Sequence, residues 1–169
     1  MIIYLKKIKT DENPHAEAHR LLSSVYKKNY VLEYNNRSKP YIKNDSSFFF
    51  NISHSHEWVC LAVSSKEIGV DIEKHDPAKT RLAKRFFSKK EQEFCKTVKD
   101  FFDIWTQKEA FIKAIGVGLS YGINTFCCFE KQKGYTIKNL EAPNGYSLSV
   151  CEKSDNIDEI EIIYIKAGL

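Results

Sequence analysis

Ile68-Gly69-Val70-Asp71-Ile72-Glu73 is the stretch of sequence that decides the fold of this chain. Apolar and acidic residues alternate in it, and side chains two positions apart on a β-strand share a face. Asp71 and Glu73 are therefore predicted to project together, while Val70 and Ile72 pack on the opposite face. The solvent face of an edge strand also explains such alternation. Two neighbouring carboxylates repel each other unless a cation neutralises them, however, and this favours a metal site.

A second segment, Trp105 to Lys113, lies some tens of residues further on and has helical character. Its Glu109 and Lys113 stand one turn apart on one face of the predicted helix. This spacing is as typical of an ordinary surface ion pair as of a functional site. If the fold brings Glu109 to Asp71 and Glu73, three carboxylates and an ammonium converge. Such a group suits a hard divalent cation and a substrate that carries phosphate.

The rest of the chain predicts strands and helices in irregular order. Strands are expected at residues 2–8, 48–53, 58–63 and 68–72, and as three further strands between Phe126 and Ile165. Helices are expected from Pro14 to Val31, after the capping-box residue Ser88, and around Glu109 up to Gly116. Without a regular βαβ alternation, the predicted fold class is α+β.

Composition limits the classes of protein that need to be considered. The chain has 169 residues, enough for one domain or two small halves with a shared core, and is 43% apolar. Its net charge of +4 suits an acidic partner or a phosphorylated ligand, and no RNA-binding or zinc-spacing signature is present, so nucleic acid is not an expected partner. The odd number of cysteines, five, predicts reduced thiols. With no signal peptide or membrane span in the pattern, we expect a cytoplasmic protein.

Further motifs accompany the two acidic segments in a fixed order. They are Lys39-Pro40, Asn51-Ile52-Ser53-His54-Ser55 and Arg85-Phe86-Phe87-Ser88. Together the motifs resemble the 4'-phosphopantetheinyl transferase superfamily, in its long pseudo-dimeric form that activates surfactin-type peptide synthetases. The resemblance covers roughly residues 16 to 130.

The resemblance implies a fold of two similar α+β halves related by pseudo-two-fold symmetry, with the active site at their interface. The halves would be residues 1–66 and 67–169, together forming one transferase unit that acts as a monomer. Members of the long branch have a longer N-terminal section than the short loop found here between the first strand and the helix with Arg20. The N-terminal half is therefore expected to be compact.

The resemblance also implies roles for individual residues. Asp71, Glu73 and Glu109 would bind Mg²⁺ or Mn²⁺, and Lys113 and Lys108 would face the pyrophosphate of coenzyme A. The other contacts to coenzyme A are expected from Arg20 and His54 at the 3'-phosphate, from Lys39 and Ser53 along the nucleotide, and from Lys74 and His75 near it. Taken without the resemblance, His54 is an ordinary turn histidine, and His15 and His19 are a solvated helix face or a less favoured metal pair.

The implied reaction is transfer of the 4'-phosphopantetheine arm of coenzyme A to a serine of an apo carrier protein, with release of 3',5'-ADP. Glu109 is the expected base, directly or through a water, and Lys113 the residue that stabilises the departing phosphate. The acidic carrier would dock on a basic, partly apolar platform of Lys79, Arg81, Lys84, Arg85, Lys89 and Lys90 with Phe86 and Phe87. Two alternatives stay open: a catalytically silent module that binds carrier proteins, and a metal-dependent phosphohydrolase.

Overall fold

The computed structural model describes residues 1–118 and 122–165 and contains two main β-sheets that pack face to face. The first sheet has the strand order β4-β5-β1-β9, and its strands are β1 (Ile2–Lys7), β4 (Phe49–Ser55), β5 (Trp58–Ser64) and β9 (Glu161–Ile165). The second has the order β6-β8-β7, with β6 (Ile68–Lys74), β7 (Thr136–Leu140) and β8 (Tyr146–Glu152). A short ribbon pairs β2 (Leu32–Tyr34) with β3 (Pro40–Ile42).

Helices cover the outer faces of both sheets. Helix α1 (Pro14–Tyr26) packs on the first sheet, and α4 (Val98–Ile115) packs on the second. Between β6 and α4 the chain forms a 3₁₀ helix (Pro77–Leu82), α2 (Ala83–Phe86) and α3 (Lys89–Phe94). The predicted α+β class is confirmed.

The apolar residues of β6 lie where the alternation predicted. Ile68, Val70 and Ile72 are fully buried in the core between the two sheets, with Ile3 and Leu5 of β1 opposite them. The other face of β6, which carries Asp71 and Glu73, is therefore the one turned toward α4. This assignment of faces brings the two acidic segments together.

Gly69 allows α4 to lie directly on β6. A Cβ atom at this position would collide with the carbonyl oxygen of Ala110 and the backbone nitrogen of Ala114. A side chain there would force the helix away from the strand, so glycine on the strand and alanine on the helix permit the close packing. The helix ends at Gly116, whose φ of 67° is the left-handed conformation that glycine adopts without strain.

The free edge of β6 is hydrogen-bonded by side chains rather than by a strand. The backbone N–H groups of Val70, Ile72 and Lys74 donate to the side-chain oxygens of Asn51 (2.9 Å), Ser53 (3.3 Å) and Ser55 (3.1 Å). These three acceptors alternate along β4, so one face of that strand joins the two sheets. Edge N–H groups that would otherwise be unpaired are satisfied in this way.

Some boundaries differ from the sequence prediction. Helix α1 ends at Tyr26 rather than Val31, because Lys27 takes the left-handed conformation (φ 57°) and donates its N–H to Ser23. The turn between β4 and β5 consists of His56 and Glu57 only, so His54 lies in a strand and not in a turn. The short ribbon of β2 and β3 was not predicted.

The division into halves at residue 66 and the pseudo-two-fold symmetry stay predictions. Strand β9 belongs to the predicted C-terminal half, yet it pairs in parallel with β1 at the edge of the first sheet. Residues 166–169 of that half lie outside the described residues. Within the described ranges, no helix combines the length and the apolar character needed to cross a membrane.

Candidate active site

A cavity of about 530 Å³ opens between α1, β4, β6 and α4. Both acidic segments reach it, as does the Ser53-His54 pair of β4. Its polar lining consists of His15, His19, Ser53, His54, Asp71, Glu73, Glu109 and Lys113, and its apolar lining includes Trp105, Phe50 and Ile52. The structure thus brings together six of the predicted site residues.

Lys113 and Asp71 form the centre of the site. The Lys113 Nζ atom donates to Asp71 Oδ1 at 2.6 Å, to Ser53 Oγ at 3.0 Å and to the carbonyl oxygen of Val70 at 3.2 Å. Ser53 Oγ in turn donates to Asp71 Oδ1 at 2.9 Å. A charge-assisted network of this kind fixes the Asp71 carboxylate, which is only 3% exposed.

Glu73, two residues after Asp71 on β6, is held by a similar set of contacts. Ser55 Oγ donates to Glu73 Oε2 at 3.2 Å, and the Lys79 ammonium lies 3.6 Å from the same oxygen. Ser53 and Ser55 therefore each bind a backbone N–H of β6 and a carboxylate of β6 at once. Ser55 is a site residue that the sequence analysis did not single out, although its alternation with Ser53 was visible.

The carboxylates perturb one another. Burial, followed by the charge of Asp71, raises the pKa of Glu109 to about 7. The same two causes, in the same order, raise the pKa of Glu73. Crowded carboxylates of this kind hold protons more tightly than isolated ones, and a nearby cation relieves the cost of ionising them.

The chemistry of these oxygens fits a hard divalent cation. Asp71 Oδ2 is buried and, within the described residues, has no hydrogen-bond partner, so one ligand oxygen is already available. In the described ranges, no group of three His, Cys, Asp or Glu side chains is arranged to hold a metal ion. Mg²⁺ does not require such a cage, since it is usually held by one or two carboxylates together with waters and substrate phosphates.

Two imidazoles face each other on the opposite side of the cavity. The ring centroids of His15 on α1 and His54 on β4 are 4.8 Å apart, with the rings inclined at 78°. Burial lowers the pKa of His54, and the charges of His15 and Lys113 lower it further. His15 and His19 are both exposed on α1, as the solvated-face interpretation expects, and both also line the cavity. Their spacing of one helical turn was the only signal in the sequence.

The predicted phosphate contact of Lys108 needs correction. Its side chain is fully buried and its Nζ atom donates to Glu91 Oε1 at 2.8 Å and Oε2 at 2.9 Å, and also to the carbonyl oxygen of Phe126. Glu91 also accepts from the backbone N–H of Cys128 at 2.7 Å. Lys108 thus ties α4 to α3 and to the segment that follows α4, away from the cavity.

Lys39 does not line the cavity either. Its Nζ atom donates to the carbonyl oxygens of Ala114 (2.7 Å) and Ile68 (3.0 Å), and burial lowers its pKa to about 8. Ala114 lies in the last turn of α4, where carbonyl groups lack helical partners and a cation is favourable. This contact fastens the end of α4 to β6. Lys39 also lines a neighbouring cavity together with Glu109 and Lys113, and its predicted position along the nucleotide stays a prediction.

The remaining predicted contacts lie around the cavity rather than in it. The Arg20 guanidinium is exposed and pairs with Glu17 on the same helix. The Lys74 ammonium lies 3.6 Å from Glu57. His75 stacks on Phe102, and its Nε2 atom is hydrogen-bonded to Ser147 Oγ at 3.0 Å.

The cavity thus brings carboxylates, an ammonium and imidazoles together, and comparisons with known proteins identify the family of the chain. A family model described as the 4'-phosphopantetheinyl transferase superfamily matches residues 67–162. The chain is 34% identical to the 4'-phosphopantetheinyl transferase Sfp of Bacillus subtilis (strain 168), over 85% of this chain and 78% of that protein. It is 34% identical to the transferase psf-1 of Bacillus pumilus and 31% identical to gsp of Aneurinibacillus migulanus, over 79% and 82% of this chain.

The chain therefore belongs to the 4'-phosphopantetheinyl transferase superfamily. It spans 65% of the length of the Bacillus pumilus protein and 65% of the Aneurinibacillus migulanus protein in these matches.

Proposed function

We propose that this protein transfers the 4'-phosphopantetheine arm of coenzyme A to a serine of an apo acyl, peptidyl or polyketide carrier protein, in a reaction that requires Mg²⁺ or Mn²⁺. The observation that carries the proposal is the cavity in which Asp71, Glu73, Glu109 and Lys113 meet the imidazole of His54. Family membership supports the same reaction, because the named relatives are 4'-phosphopantetheinyl transferases.

Asp71, Glu73 and Glu109 would hold the divalent cation. When bound, it would neutralise the pyrophosphate of coenzyme A and the charge that develops on the leaving group. Ser53 and Ser55 would keep Asp71 and Glu73 oriented toward it, through the 2.9 and 3.2 Å hydrogen bonds described above.

The reaction itself is a phosphoryl transfer in which the protein supplies position and charge. The serine oxygen of the carrier forms a bond to the β-phosphorus, and the bond from that phosphorus to the bridging oxygen breaks. The electron pair leaves with 3',5'-ADP. The serine proton passes to Glu109, the proposed base, directly or through a water. Lys113 would donate to a phosphate oxygen and stabilise the departing group.

The carrier would bind beside the cavity through opposite charge. Lys79, Arg81, Lys84, Arg85, Lys89 and Lys90 are all exposed on the 3₁₀ helix, α2 and α3. Of the two aromatic residues predicted among them, Phe86 is partly buried against Trp105, whereas Phe87 is buried and stacks on Phe101. The platform is therefore basic with one apolar side chain, and it suits the acidic surface expected of a carrier.

Mass spectrometry on a panel of apo carriers tests the proposal. With coenzyme A and Mg²⁺, we expect one carrier class to gain the phosphopantetheinyl group, and we expect chelation or the substitution Glu109→Ala to abolish the gain. Glu130→Ala, an exposed carboxylate outside the cavity lining, should leave it unchanged. Carrier binding without any transfer would favour the silent module, and release of 3',5'-ADP without an acceptor would favour the phosphohydrolase.

A further inference from the structure

The cavity has two chemically different sides. Asp71, Glu73 and Glu109 lie on β6 and α4, together with the Lys113 ammonium. The side formed by α1 and β4 carries imidazoles instead, those of His15, His19 and His54. A ligand that fills this cavity therefore meets carboxylates at one side and nitrogen donors at the other.

The nitrogen atoms of His15 and His54 are available to such a ligand. Both side chains are exposed to the cavity, and neither ring has a hydrogen-bond partner in the part of the chain that the structure describes. His75, by contrast, is bonded to Ser147. The backbone N–H of His15 donates to Oδ1 of the N-cap residue Asn13 at 2.9 Å, whereas its ring lines the cavity.

The positive charge of the Lys113 ammonium, which lines the same cavity, favours an anion beside these rings. Burial, followed by the charges of His15 and Lys113, lowers the pKa of His54, and the two ring centroids lie 4.8 Å apart. A dianion beside the two rings would accept hydrogen bonds from their N–H groups.

Coenzyme A offers two phosphate groups to this cavity, and this step rests on the proposed function. Its pyrophosphate needs the cation and so belongs beside the carboxylates. Its 3'-phosphate is a monoester, which carries a charge between one and two near neutral pH. From the geometry we infer that His15 binds this 3'-phosphate together with His54, and that His15 sets the preference for coenzyme A over dephospho-coenzyme A.

Calorimetric titration with nucleotides tests this inference without transfer and without metal. The two ligands are 3',5'-ADP and 5'-AMP, which differ in the 3'-phosphate. His15→Phe keeps an aromatic ring but removes both nitrogens, and it should weaken binding of 3',5'-ADP about tenfold, the low end for hydrogen bonds to a charged group. Binding of 5'-AMP should not change. His15→Lys, which restores a cation, should keep most of the preference.

The matched control is the substitution His56→Asn. His56→Asn alters a histidine in the turn between β4 and β5 that does not line the cavity, and it should bind both nucleotides as the wild type does. An equal loss for both nucleotides in His15→Phe, or no loss for 3',5'-ADP, would overturn the inference.

The inference and the proposed function can fail separately. If no carrier is modified but the preference for 3',5'-ADP depends on His15, the transferase proposal fails and the assignment of His15 stands. If carriers are modified but the ratio of kcat/KM for coenzyme A to that for dephospho-coenzyme A is the same in wild type and His15→Phe, the assignment of His15 fails alone.

Discussion

Replacing Glu109 by glutamine should stabilise the protein while it abolishes transfer. Burial and the charge of Asp71 raise the pKa of Glu109 from 4.5 to about 7. Between these values the folded state holds a proton that the unfolded state has lost, so the free energy of unfolding falls as pH rises through this window. Glutamine does not titrate, and the variant escapes that loss.

The size of the effect follows from the pKa difference. At about 1.4 kcal/mol per pKa unit, ionising Glu109 in the folded protein above pH 7 costs at most about 3.5 kcal/mol. Since the cavity is open to water, we expect the gain of Glu109→Gln to be about 1 to 3 kcal/mol. For a chain of this size, that corresponds to an increase in Tm of about 2 to 12 °C.

The assay is thermal unfolding in a chelator between pH 5 and pH 9, for wild type, Glu109→Gln and the exposed control Glu130→Gln. The difference in Tm between Glu109→Gln and wild type should be small at pH 5 and reach a plateau above pH 8. Added Mg²⁺ should reduce it, because a cation offsets more carboxylate repulsion in the wild type than in the variant. A difference that does not change with pH, or that shrinks as pH rises, would refute the electrostatic account of this site.

Three further substitutions test how the site is held. Gly69→Ala should destabilise the protein by more than 2 kcal/mol in urea unfolding and lower kcat, since α4 must move away from β6; full activity would contradict the packing described. Ser55→Ala should weaken Mn²⁺ binding several-fold in calorimetry with a smaller change in Tm, because it removes the 3.2 Å hydrogen bond that orients Glu73; unchanged Mn²⁺ affinity would count against this positioning role. Lys108→Met should cost about 3 to 5 kcal/mol of stability, because it leaves the buried Glu91 carboxylate without its ion pair; a stable variant with a raised KM for coenzyme A would instead restore the predicted phosphate contact.

The face of β6 could be predicted because strand periodicity alone determines it. Asp71 and Glu73 lie on one side of the strand and the buried Ile72 on the other, as the alternation indicated. Helix α4 was equally visible, with its end at Gly116. That α4 packs on β6 could be expected only from the resemblance to a family, since no local pattern shows which helix lies on which strand.

Lys108 shows where a motif misleads. Lys108 and Lys113 belong to the same motif, Trp105 to Lys113. Residues five apart on an α-helix do not share a face, however, whereas Glu109 and Lys113, four apart, do. The helix therefore turns Lys108 toward Glu91 and Lys113 toward Asp71. Helical geometry applied to the motif would have separated the two lysines.

Other contacts depend on tertiary structure that no periodicity reveals. Lys39 reaches the carbonyl oxygens at the end of α4 only because the ribbon of β2 and β3 lies beside that helix end. His15 meets His54 because α1 packs on the first sheet, with its first turn next to the end of β4. In both cases the residue type was noted in the sequence, but its partner lay on another element.

The most direct test of the central claim is the mass of an apo carrier protein after incubation with this protein, coenzyme A and Mg²⁺. We predict that the carrier gains one phosphopantetheinyl group on a serine, that 3',5'-ADP appears in equal amount, and that Glu109→Ala and chelation each prevent both. Carrier that keeps its mass across acyl, peptidyl and polyketide types, while the protein still binds coenzyme A, would contradict it.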